Sequence, residues 1–158
     1  MRVKIHTRYT GYLVLNLQSI ETKIRAFLEC RDGGALSFPK PGDTVTKETW
    51  LTKYYFFGPL VDEFNGSLTD RERERYALDT RIVEIRNSFA HGRLFTDSER
   101  FPARLWRFGR KPDEDGNLAV EFSELLTPEW LLKNHNFIAR EDDKVLSCFK
   151  ARKYRGLR

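Results

Sequence analysis

Apolar side chains at Leu13, Leu17, Ile20, Ile24, Phe27 and Leu28 recur at steps of three and four residues. That spacing aligns them on one helical stripe, so the first part of the chain is expected to be an amphipathic helix whose apolar face needs a core. Gly33-Gly34 is the stop signal. Across 31–45 glycine and proline breakers leave no usable period, which predicts a loop rather than a domain boundary. The whole chain of 158 residues is expected to form a single domain over 1–158. A chain of this size typically buries roughly 68–70% of its unfolded surface, enough for a core without disulfides or metals.

The two cysteines, Cys30 and Cys148, stand far apart and in no ligand-like spacing. Neither a disulfide framework nor a metal site is expected, and a reducing, cytoplasmic compartment fits. No cofactor-binding motif is present. The apolar run Tyr12–Leu15 is broken by Asn16, well short of the roughly 20 residues that cross a bilayer, and Met1–His6 is not followed by the hydrophobic stretch of a secretory signal. Lysine and arginine total 28 against 23 acidic residues, a formal charge of +5 that favours a polyanionic partner only mildly.

An aromatic segment follows, with Trp50, Leu51, Tyr54, Tyr55, Phe57, Leu60, Val61 and Phe64. It reads as a helix kinked or divided at Gly58-Pro59, its rings serving the core rather than stacking on bases. Thr69 and Glu72 have the spacing of a capping box, with Asp70 adding acid to the positive end of the helix. One long helix is therefore expected from here to His91, with Leu78, Ile82, Ile85 and Phe89 facing the core and Gly92 as its stop. On the opposite face, Tyr76, Val83, Asn87 and Ala90 form a semi-apolar surface suited to a second copy of the helix.

Beyond Arg93 the period changes. Leu105–Phe108 and Leu118–Phe122 read as strands around Asp115-Gly116, a β-hairpin pattern, and Thr127-Pro128 marks the start of a C-terminal helical segment. The expected architecture is mainly α, a helical bundle with a small β-hairpin inserted before the C-terminal helix.

No glycine-rich phosphate loop, HExxH or Gly-x-Ser-x-Gly pattern occurs. The remaining constellation is Arg86-Asn87-Ser88-Phe89-Ala90-His91 at the end of a helix. Arginine is cationic at any relevant pH and histidine is the side chain suited to proton transfer near neutrality. RNA transesterification needs both functions: the 2′-hydroxyl loses a proton, the leaving oxygen gains one, and the phosphate accumulates charge between them. Residues five apart on a straight helix are rotated by about 140°, so Arg86 and His91 do not simply share a face. Pairing of two copies about a twofold axis would remove that difficulty, as would unwinding at Gly92.

The string Glu84–Gly92 resembles the signature of the HEPN superfamily, in which an arginine, a polar residue directly after it and a histidine following four to six intervening residues close a helix; four intervene here. The resemblance implies a helical bundle and a homodimer with the motifs at its interface. It also implies metal-independent endoribonuclease activity leaving a 2′,3′-cyclic phosphate, as in toxin–antitoxin and antiviral systems. Arg86 would stabilise phosphate, His91 would act as acid or base, and Asn87 would orient one of these groups or the RNA. An antitoxin or nucleotidyltransferase partner is implied as well, although the tyrosine that such a partner modifies is Arg93 here. The alternative implied role is a non-catalytic binding or dimerisation module serving another enzyme. Arg93 beside the motif, and Arg152, Lys153 and Arg155 in the basic tail over 150–158, are candidate RNA contacts. His6 and His135 have no partner at useful spacing and are expected at the surface.

Overall fold

The computed structural model describes residues 2–37, 39–44, 48–96 and 102–154. The described chain is helix-rich, with five helices and one small antiparallel sheet: α1 (Arg2–Arg31), α2 (Phe57–Gly66), α3 (Asp70–Tyr76), α4 (Arg81–His91), β1 (Arg93–Phe95), β2 (Arg104–Phe108), β3 (Val120–Leu125) and α5 (Pro128–Ala151). It divides into two compact units, one of residues 1–17 and 81–138 and the other of 18–80 and 139–158, so α1 and α5 each contribute to both. No helix among the described residues is long and apolar enough to cross a membrane.

The second unit is built on the C-terminal half of α1. Ile20, Ile24, Phe27 and Leu28 are fully buried, as their spacing predicts, with Phe57, Leu60, Val61 and Phe64 of α2 and Val145 and Phe149 of α5. Phe27 meets the rings of Phe64 and Tyr154 edge-on, at 4.9 and 5.5 Å between centroids. Gly33, with φ +79°, supplies the left-handed residue that ends α1. Burial pushes the Cys148 thiol up to about 11, with the Glu72 charge adding to the shift, and burial raises Cys30 too, so neither is an activated thiolate.

Two expectations are corrected in this unit. The aromatic segment is not helical before Phe57, because Arg25 on α1 donates to the carbonyl oxygens of Trp50, Lys53 and Tyr55, each at 3.0 Å, and so satisfies groups that a helix would have paired internally. Gly58-Pro59 lies in the first turn of α2, where proline is tolerated, and does not kink a longer helix. The long helix expected from Thr69 is also two helices. Its break at Ala77–Thr80 is held by side chains: Asn65 accepts from the Leu78 N–H at 2.8 Å and donates to its carbonyl at 3.0 Å, buried Glu141 accepts from the Asp79 N–H at 2.9 Å, and Lys144 donates to the Ala77 carbonyl at 3.0 Å. Leu78 is buried from this bridge rather than from a helix, and Tyr76 belongs to α3, not to the face of α4.

The other unit holds the N-terminal half of α1, α4, the sheet and the first turns of α5. Its core includes Leu13, Leu17, Ile82, Ile85, Leu105, Leu126, Leu131, Phe137 and Ile138. The expected hairpin is present, with β2 and β3 antiparallel, but β1 adds a third strand to give the order β1-β2-β3. Between β2 and β3 the Asp113 carboxylate accepts from the N–H groups of Asp115 and Asn117, and Gly116 takes φ +83°. The Thr127 hydroxyl accepts from the Trp130 N–H at 3.1 Å, confirming the cap that opens α5, and Pro128 is its first residue. His6 is buried, contrary to expectation, and half-buried His135 is hydrogen-bonded through Nδ1 to the Asn16 amide at 3.1 Å.

The capping box of α3 is present, and Glu72 closes it while also accepting from Arg152 at 2.9 and 2.8 Å. The Arg152 guanidinium and the Thr69 backbone N–H hold the Glu72 carboxyl down at about 2. A depressed carboxyl stabilises the fold fully above its unfolded range near 4.3 and loses that contribution as pH falls through the folded value. Glu72→Ala is expected to cost about 1.5–3 kcal/mol at pH 7, from the lost charged hydrogen bonds. In urea titrations the gap between wild type and variant should narrow between pH 4.5 and 2; a gap independent of pH would show that the ion pair is not its source.

Candidate active site at the end of α4

The last turn of α4 packs against β2, and the residues that allow the approach are small. Ser88 is fully buried; its hydroxyl donates to the Glu84 carbonyl at 2.8 Å and accepts from Arg107 Nε at 3.3 Å. One turn later Gly92 donates its N–H to the Ser88 carbonyl at 2.8 Å. Its φ lies outside the left-handed region, so it is not required there as a helix-terminating residue of that kind. A Cβ at this position would instead collide with the Ser88 carbonyl oxygen and come within 2.7 Å of Leu105 Cδ1 and 2.9 Å of the Trp106 carbonyl oxygen. The expected stop is in place, and its cause is close packing.

Asn87 and His91 precede Ser88 and Gly92 by one position each and, four apart, share a helical face. That face forms one wall of a cleft of about 730 Å³, whose opposite side is supplied by Arg107, Phe108, Arg110, Lys111 and Glu121. Arg107 is held from both ends, by Ser88 and by Glu121 Oε2, the latter 2.7 Å from Nη1. Arg110 and Lys111 are exposed at the start of the turn after β2. Three cationic side chains against one carboxylate make the cleft basic, and the exposed imidazole of His91 stands in it.

Of the residues predicted from sequence, Asn87 and His91 are brought together. Arg86 does not line this cleft; its Nη1 donates to Asn87 Oδ1 at 3.3 Å, so it reaches the site through its neighbour. Arg93 is exposed on β1, its guanidinium 5.7 Å from the ring centroid of Phe108. In the tail, the Arg152 guanidinium is hydrogen-bonded to Glu72 and to the Ser67 carbonyl at 2.9 Å. Lys153 is exposed with φ 56°, a left-handed residue closing α5, and Arg155 lies outside the described residues. Among the described residues no group of three or more His, Cys, Asp or Glu is arranged to hold a metal.

Sequence reasoning missed Arg107, Arg110, Lys111 and Glu121. Their signal was the cluster Arg107-Phe108-Gly109-Arg110-Lys111 at a strand end, whose facing toward α4 depends on strand register. Comparison of the chain with protein-family models, with curated proteins and with solved structures finds no match.

Gly92→Ala is expected to destabilise the protein by about 1–3 kcal/mol, the range for forcing extra volume into a packed contact. Adding Leu105→Ala should not restore the loss, since two of the three opposing atoms are backbone oxygens. Thermal unfolding of the single and double variants checks this, and a Gly92→Ala protein as stable as wild type would show that α4 and β2 have room to spare.

Proposed function

We propose that this chain is an endoribonuclease that works without a metal ion, cleaving RNA by 2′-hydroxyl transesterification. The observation that carries the reading is the cleft in which His91 and Asn87 face Arg107, Arg110 and Lys111. A phosphodiester seated there would have its charge met by three cations, of which Arg107 is held in place, with one imidazole within the same walls. His91 would accept the 2′-hydroxyl proton as the 2′-oxygen attacks phosphorus, and the bond to the 5′-oxygen would break to leave a cyclic phosphate. The leaving oxygen needs a proton in return, which water or the His91 of a second copy would supply. Arg107, held by Ser88 and Glu121, would stabilise the charged phosphorane, and Arg86 would act on the site by orienting Asn87.

This assignment agrees with the HEPN-like pattern of the motif, and with it we propose a HEPN-like helical bundle, a homodimer and a cytoplasmic role as a toxin or antiviral effector. One observation favours a second reading. The motif arginine is turned to Asn87 rather than to the cleft wall, as suits a non-catalytic RNA-binding module in which Arg86 only braces the helix end.

The test is incubation with transfer and messenger RNA in excess EDTA, with identification of the product ends. Cleavage leaving cyclic phosphate is expected, reduced about 10²–10⁴-fold in His91→Ala. Arg107→Ala should lower it about 10²-fold, as for loss of one preorganised donor. Wild type that binds RNA but cuts none, with the variants equally inert, would replace the nuclease by the binding module.

A further inference from the structure

We infer that the outer face of the three-stranded sheet is a platform for single-stranded RNA, leading the strand into the cleft at the end of α4. The inference rests on the RNA reading of that cleft and adds the form in which the substrate is taken. Antiparallel register sets Arg93 of β1 opposite Trp106 of β2 and Phe95 opposite Arg104, while Trp106 stands opposite Ser123 of β3. Side chains alternate across a sheet, so Leu105 points into the core while Arg104, Trp106 and Phe108 take the other face.

On that face three rings stand in a row: Phe95 to Trp106 at 4.8 Å between centroids, and Trp106 to Phe108 at 6.4 Å. Phe95 is 46% exposed, a large apolar surface for an aromatic residue to leave in water. The indole is fixed by donating to Ser123 Oγ at 2.9 Å, and Arg104 donates to the same oxygen at 3.2 Å. Arg93 lies over Phe108. The positions of β1 and β2 that alternate onto this face therefore carry two arginines, three rings and no carboxylate, and Glu121 of β3, which alternates with Ser123, is paired to Arg107.

Rings flanked by fixed cations match the alternation of base and phosphate along an unpaired strand, where stacking uses the ring and the cation meets the backbone. A duplex keeps its bases stacked on each other and offers such rings nothing. A second copy of the chain is the poorer occupant, since twofold pairing of this face would set the arginines of β1 and β2 against each other while Glu121 of β3 is already paired to Arg107. The face is also continuous with the cleft, because Phe108 belongs to both. A strand stacked on Phe95 and Trp106 would pass Phe108 directly into the walls that hold His91.

The experiment uses the full chain and a fluorescein-labelled 2′-O-methyl RNA 12-mer, which cannot be cut by 2′-hydroxyl attack, with binding read by anisotropy beside a blunt duplex of the same sequence. The single strand should bind at least about tenfold more tightly than the duplex. Phe95→Ala should weaken single-strand binding about 5- to 150-fold, the range for loss of one stacked base, and Phe95→Tyr should restore it. Phe95 is exposed on an edge strand, so its loss leaves the core intact; circular dichroism verifies the fold, and Arg104→Ala, expected to flatten the salt dependence of binding by about one phosphate contact, is the second variant. Wild-type affinity in both variants, equal affinity for the duplex, or no binding of the oligonucleotide overturns the platform. So does a Phe95→Ala protein that binds normally but changes from dimer to monomer on gel filtration, which would make this face a contact between copies. The two readings fail separately: binding without cleavage of any RNA removes the nuclease alone, and cleavage indifferent to Phe95 and Arg104 removes the platform alone.

Discussion

The contact between α4 and β2 is close because residues 88 and 92, one turn apart on the same face, are a serine and a glycine. Ser88 is a polar group buried completely, which is costly unless its hydroxyl is paired, and it is paired twice: to its own helix at Glu84 and to Arg107 across the contact. The second bond is what makes the approach directional. It draws an arginine from the strand toward the helix end, while Gly92 removes the side chain that would hold the two apart. Asn87 and His91 lie about 100° around the helix from Ser88 and Gly92, so once the small pair is pressed to the sheet, the polar pair necessarily opens beside it. The cleft is the by-product of that rotation.

Strand geometry completes it. Consecutive residues of a regular strand point to opposite faces, yet Arg107 and Phe108 both line the cleft. The register between β2 and β3 shifts at this pair, with Arg107 opposite Phe122 and Phe108 opposite Val120, leaving Glu121 as the extra residue. The bulge lies on β3, where it delivers Glu121 to the Arg107 guanidinium, while Phe108, the last residue of β2, borders the cleft from the strand end. Arg107 is thus restrained by a helix on one side and by a bulged strand on the other, the rigidity that preorganised electrostatic stabilisation requires.

What was legible in the sequence was local. The stripe of α1, the capping box at Thr69 and the cap at Thr127-Pro128 each depend on residues within about a turn of one another, and each is found where its spacing places it. The break after α3 was not legible, because local periodicity continues through Leu78 while the groups that stabilise the break come from Asn65, Glu141 and Lys144. The same holds for 50–56, where Arg25 decides the backbone from another helix. β1 is three residues long, too short to show a period, and exists because β2 offers it an edge. At the candidate site, Asn87 and His91 were legible as members of the Arg86–His91 string at a helix end, not as a pair sharing one face. The cations opposite them were not, since their facing depends on a bulge and a strand register.

Arg152 shows how a basic residue of the tail is committed within the fold. Five basic residues in the tail resemble a polyanion site, but an arginine whose five donors find a carboxylate and a backbone carbonyl is most stable bound to them, and here Glu72 and Ser67 provide both. Arg107 is also ion-paired, with the opposite consequence: Glu121 and Ser88 hold it against the wall of an open cleft, where pairing fixes its position without removing it from the solvent side. The two arginines therefore differ in what stands in front of the guanidinium once its partners are satisfied. In the proposed nuclease, that difference would answer the angular mismatch between Arg86 and His91. The motif's own arginine can stay behind Asn87 because the cation facing His91 comes from the strand, which a motif confined to one helix could never specify.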